Sequence, residues 1–167
     1  PNRFSAFLTG DWLAMSFILR RTLIFIGLML AGLVLYAVWF GIKADRFDET
    51  AIPYLESAMP MVTSWQYQQL KPLLSPNARL DFENEKVRSA HQAFSRLGQL
   101  QSMDKPRYSS SQKGNSKELG DVEVVEYQAT LQFDSGPALI KIKLVTDGKS
   151  YFVHHFGIQS EVFTTEQ

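Results

Sequence analysis

The chain holds three histidines and no cysteine, so imidazole is its main candidate for proton exchange near neutral pH. His154 and His155 are adjacent in the stretch SYFVHHFGI, and His91 lies in EKVRSAHQAFSRLG. A strand histidine beside an acid acts as a general base where it lines a pocket, and Tyr108, Tyr127 and Tyr151 are the residues that would line one with it. A metal ion asks for several convergent ligands. Neighbours on a strand point to opposite faces, so His154 and His155 cannot easily share one ion. The carboxylates Glu123 and Glu126 read as facing away from the aliphatic set. Nucleophile elbow, glycine-rich phosphate loop, HExxH and paired-carboxylate spacing are all missing. The reading is therefore a chain with no catalytic residue, no metal and no cofactor, with an enzyme built on His154 or His155 as the weaker alternative.

The elements that must position these side chains follow from periodicity. DVEVVEYQATLQFDSG sets Val125, Tyr127, Ala129, Leu131 and Phe133 against Glu126, Gln128, Thr130 and Gln132. Strict alternation of that kind marks an antiparallel strand with one buried face. DSGP predicts a hairpin turn, and ALIKIKLVTDG alternates Ile140, Ile142 and Leu144 with Lys141 and Lys143 before a second turn at TDGK. SYFVHHFGIQSEVF gives a third long strand, apolar or aromatic on both faces, and KPRYSSSQK a shorter first one. Ahead of them, YLESAMPMVTSWQYQQLKPLLSP carries Leu55, Ala58, Met59, Val62, Trp65 and Leu70 at helical spacing, bent or restarted at Pro60 and bounded by Pro72 and Pro76. ARLDFENEKVRSAHQAFSRLGQLQSM predicts a second amphipathic helix with Val87, Ala90, His91, Phe94, Leu97 and then Leu100 or Met103 on one face. Two helices followed by three to four strands predict an α+β domain, a curved antiparallel sheet covered by the two helices.

That order, with the phrases WQYQQLKPLLSP…LGQL and YQATLQFDSGPALIKIKLVTDGKSYFVHHFGIQS, resembles small bacterial members of the nuclear-transport-factor-like (cystatin-like) α+β superfamily. The resemblance covers residues 53–163 and includes a terminal strand with Gly148, Tyr151 or Phe152, Phe156, Ile158 and Ser160. It implies a cone-like domain. It does not choose a function, because enzymes, binding modules and envelope-complex subunits share the fold.

The N-terminal third reads differently. Residues 22–42 contain no charge, and at ~1.5 Å per residue they span about 31 Å, close to a bilayer core. They show no polar face, are too long for the apolar part of a signal peptide, and end in bulky Trp39 and Phe40. A retained transmembrane helix is the expectation. Arg20 and Arg21 abut its start, whereas Lys43 and Arg46 are mixed with acids beyond its end, which tips the N-terminus toward the cytoplasm. Tyr36 and Trp39 suit the outer interface. Gly27 with Ala31, and Ala37 with Gly41, are small-residue pairs that let another helix approach closely. Ahead of Arg20, the aromatic-rich PNRFSAFLTGDWLAMSFIL suggests a helix from about Trp12, capped by Thr9 or Asp11, lying in the interface or on a partner.

Equal numbers of acidic and basic residues, with no basic block, argue against nucleic acid as a partner. The expected organisation is an interfacial segment (1–19), a membrane helix (20–42), a polar linker (43–52), a cone-like domain (53–163) and a tail (164–167). The expected function is a non-catalytic accessory or assembly subunit of a bacterial inner-membrane complex. Its partners would be other membrane subunits and the bilayer, and its C-terminal domain would be periplasmic. The alternative is a membrane-tethered binding module for a small apolar ligand or peptide. Phe94, Phe133, Phe152, His154, His155 and Phe156 are the candidate pocket or docking residues.

Overall fold

The computed structural model describes residues 8–163, with side chains described from residue 19 onward. Expectations for residues 1–7 and for the tail lie outside the described residues, as does the side-chain packing of residues 8–18. The chain divides into two compact units, Pro1–Asp45 and Arg46–Gln167. Helix α1 (Leu8–Val62) contributes to both. Its described part begins at Leu8, ahead of the expected start near Trp12.

Within the first unit, α1 carries the uncharged run. Leu28, Leu33 and Leu35 are all more than half exposed, and among the described residues nothing buries the apolar window. The helix is long and apolar enough to cross a membrane. Near the end of the run, Tyr36 lies 6.3 Å from Trp39 and 6.4 Å from Phe40 between ring centroids. The Lys43 ammonium sits 5.1 Å over the Trp39 ring, in the manner of a cation that returns along its stem toward a polar boundary.

The second unit is an α+β domain with a five-stranded antiparallel sheet. Residues 43–52 were expected as a polar spacer, yet they are helical throughout. Phe47, Ala51, Leu55, Met59 and Val62 recur at three to four residues and are all buried, which is the spacing of one helix face. Pro53 and Pro60 lie inside the helix, contrary to the expected boundary at Pro53. Each proline frees the carbonyl four residues earlier, at Glu49 and Glu56. Both of those residues are exposed, so water can serve the freed carbonyls.

After Val62 the chain turns at Trp65, whose φ of 59° is left-handed. Its indole Nε1 donates to the Gly98 carbonyl at 3.1 Å. Short helices follow: α2 (Tyr67–Leu70), α3 (Pro76–Asp81) and α4 (Glu85–Ala93). The expected single second helix is thus split. Ser75 caps α3 by accepting from the Ala78 N–H, and Asn84 caps α4 by accepting from the Lys86 N–H, so a new helix start is built into the middle of the run. Leu100 and Met103, expected on that helix, belong instead to strand β1 (Leu100–Met103). The cause is Gly98, at φ +82°, followed by Asp134, which accepts from the Gln99 N–H and the Gln101 amide at 2.7 and 2.6 Å.

The remaining strands are β2 (Arg107–Ser116), β3 (Gly120–Phe133), β4 (Gly136–Thr146) and β5 (Tyr151–Gln159). Strand β3 pairs with β4 on one side and with both β1 and β2 on the other; β5 adds to β4. The alternating residues Val125, Tyr127, Ala129, Leu131 and Phe133 are buried, as are Ile140, Ile142 and Leu144. The opposite face carries Thr130, Gln132, Lys141 and Lys143 exposed, with Lys143 3.8 Å from the Glu126 carboxylate.

Candidate functional site

A cleft of about 620 Å³ opens between the α3–α4 segment and strand β5. Its shape starts from one irregularity in the sheet. Ile142 faces Phe156 and Lys143 faces His155, but the next residue, Leu144, faces Val153. His154 is therefore the extra residue of a β-bulge, which lets Val153 and Phe156 both turn inward and re-aims the histidine. His155 is left on the exposed face beside Lys143.

The bulged histidine meets the segment ahead of α3. Leu74 bridges Val153, and the Ser75 N–H donates to the Val153 carbonyl at 2.8 Å. This pins Ser75 Oγ 3.1 Å from His154 Nδ1. Ser75 is 2% exposed, and its oxygen already accepts from the Ala78 N–H. A buried hydroxyl has one hydrogen to place, and Nδ1 is the acceptor within reach. His154 accordingly carries its proton on Nε2. Burial holds its pKa below the usual imidazole value, helped by His155 and Lys143 and opposed by Asp81.

His91 reaches the cleft from α4 and is 5% exposed. It bonds to the carbonyl of Val62, the last residue of α1, where helix carbonyls lack intrahelical partners. Its Nε2 has no hydrogen-bond partner among the described residues, so Nδ1 is the donor. Burial lowers the pKa of His91 also, against the raising effect of that bond. Aromatic rings surround it: Phe82 at 5.4 Å and Phe156 at 5.9 Å, both edge-on, and Trp65 at 5.9 Å. Phe94 packs on Trp65 and on Phe163.

Of the residues singled out from the sequence, Phe94, His154, His155 and Phe156 line this cleft together with His91. Phe133 does not; it is 1% exposed in the core, against Trp65. Phe152 pairs with Val145, on the face away from Phe156. The tyrosines fasten the domain-side part of α1 to the sheet. The buried Tyr127 hydroxyl donates to Asp48 at 2.8 Å, Tyr151 and Thr50 share a 2.8 Å hydrogen bond, and Tyr108 stacks on Phe47. Burial and the Asp48 bond both raise the Tyr127 pKa. Phe82 and Ser75 were missed in the sequence; for Ser75, the pair Ser75–Pro76 is itself a helix-start signal.

Chemically, two of the three imidazoles lining the cleft have opposite roles, an acceptor at His91 and a donor at His154. Ser75 is unsuited to attack a substrate, since its hydroxyl is buried and committed to Ala78 and His154. Among the described residues, no group of three histidine or carboxylate side chains converges as a metal site.

In the first unit, Arg20, Arg21, Tyr36 and Trp39 are exposed, as are Gly27, Ala31 and Ala37. A Cβ placed on Gly27 or Gly41 would meet nothing within 4 Å, so both small-residue pairs stand open. Compared with known proteins, the chain matches no protein-family model, no curated protein and no solved structure.

Proposed function

We propose that this chain is a non-catalytic, single-pass accessory or assembly subunit of a larger bacterial membrane protein complex. Its N-terminus is cytoplasmic and its α+β domain, of nuclear-transport-factor-like order, is periplasmic at the inner membrane. One observation carries the reading: an uncharged helical run whose side chains find no cover among the described residues. Residues 22–42 include twelve Leu, Ile, Val or Phe residues. At about 0.3–0.6 kcal/mol each, they favour insertion by roughly 4–7 kcal/mol. Lipid covers such a helix, and the pairs Gly27–Ala31 and Ala37–Gly41 leave room for a second helix against it.

The non-catalytic reading is supported by the serine–histidine contact among the described residues, in which the Ser75 hydroxyl is buried and already bonded to Ala78 and His154. The exposed face of β3 and β4, with Lys141 and Lys143, suits a docking surface with acidic groups opposite. The test is a pull-down from native membranes in mild detergent, comparing the natural chain with one whose residues 22–42 are replaced by an unrelated apolar helix. Companion proteins should accompany the natural chain and be lost from the replacement, while both stay in the membrane fraction. A natural chain recovered without companions overturns the proposal.

A further inference from the structure

We infer that the cleft between the α3–α4 segment and β5 binds a small, uncharged ring compound that bears a hydrogen-bond donor, accepted by His91 Nε2. This does not depend on what the apolar helix contacts. A cleft of about 620 Å³ falls within the size range of small-molecule sites, which are mostly apolar with a few placed polar groups. Its walls are of that kind: Val87, Phe94, Phe82 and Phe156 together with the imidazoles of His91, His154 and His155.

The ligand chemistry is set by His91. Its Nδ1–H is committed to the Val62 carbonyl, which leaves Nε2 a bare lone pair, and that atom is buried without a partner. A buried acceptor left unmatched is costly, and a group that supplies an N–H or O–H recovers that cost. Phe82 and Phe156 stand nearly perpendicular to the imidazole at 5.4 and 5.9 Å, and Phe156 is only partly buried. A ligand ring that turns Phe156 aside takes over its edge-on contact and brings its own donor to the nitrogen. A hydroxyl or ring N–H does this; a bare hydrocarbon does not. At the mouth, the Ser75 bond fixes His154 as an Nε2–H donor, suited to a second, accepting atom on the ligand. Asp81 and Lys86 both line the cleft, opposite charges that select for neither an anion nor a cation.

The test uses indole, which has a ring N–H, and 1-methylindole, which has the same ring without it. The full chain is held in lipid nanodiscs with ¹⁵N-labelled histidine. Indole should shift the His91 Nε2 resonance saturably and bind about tenfold more tightly than 1-methylindole, the difference of one hydrogen bond to a buried acceptor. In His91→Phe that preference should vanish, while an unchanged His154 Nδ1 resonance reports that the cleft is still formed. His91→Leu, which likewise lacks an acceptor, serves as the second variant should the first not fold. Equal binding of the two probes, or no shift at His91 up to about 10 mM indole, a weak-binding limit of roughly 3 kcal/mol, overturns the inference.

Discussion

Removing the Tyr127 hydroxyl is the sharpest perturbation of the domain. Tyr127 is fully buried in the sheet, and its phenol donates to Asp48 Oδ1 at 2.8 Å. The bond joins β3 to a helical segment whose composition reads as a polar spacer. A hydrogen bond to a carboxylate contributes about 1.5–3 kcal/mol. Tyr127→Phe leaves the ring packing intact, and Asp48, partly exposed, regains water. The cost should therefore sit at the low end, about 1.5–2 kcal/mol. Asp48→Ala strands a buried phenol hydroxyl, which costs about 1–3 kcal/mol. For a domain of this size, roughly 4 °C accompany each kcal/mol, so Tyr127→Phe should lower the Tm by about 6–8 °C. Near-UV circular dichroism of the chain in nanodiscs measures it. The double variant Tyr127→Phe with Asp48→Ala should cost about 1–2 kcal/mol less than the two single costs added together. Strict additivity would refute the reasoning, because it would mean that Tyr127 and Asp48 are not coupled by a hydrogen bond.

Three further outcomes follow from other parts of the molecule. Gly98→Ala places a Cβ 2.8 Å from Asp134 Oδ2 at a φ of +82°; it should cost more than about 1–2 kcal/mol and lower the Tm in the same assay. His91 and His154 both have pKa values lowered, chiefly by burial, so the unfolded chain takes up protons first as the pH falls through about 6.5. Stability present above that pH should decline below it, and the double variant His91→Gln with His154→Gln should show a flatter slope in denaturant titrations at pH 7.5 and 5.5. Placing arginine at both Leu30 and Leu33 adds about 5–7 kcal/mol to the insertion cost, enough to cancel the apolar gain; the chain should leave the membrane fraction on alkaline washing.

The strands were legible in the sequence because a half-buried strand must alternate, and Val125 to Phe133 and Ile140 to Leu144 do so without interruption. The bulge at His154 was not, since a bulge is a relation between two strands and leaves no mark on one. His154 and His155 were read as pointing to opposite faces, yet nothing in HH says which of them meets Ser75. Residues 43–52 were misread for a different reason. Phe47, Ala51, Leu55, Met59 and Val62 form a readable helical stripe, but the acids around Phe47 and the proline at 53 mask it. The stripe outweighs the proline because Glu49, whose carbonyl Pro53 frees, is an exposed residue that water can reach. Splitting the second helix at Asn84 depended on a cap inside an amphipathic run, where periodicity continues across the break.

The central claim is that the apolar helix places this chain beside other membrane subunits. Native mass spectrometry of the particle released from its own membranes in mild detergent tests it most directly. A particle heavier than the 19.0 kDa chain by the mass of at least one different protein is the predicted result. A lone 19.0 kDa species under conditions that keep other membrane complexes intact would contradict it.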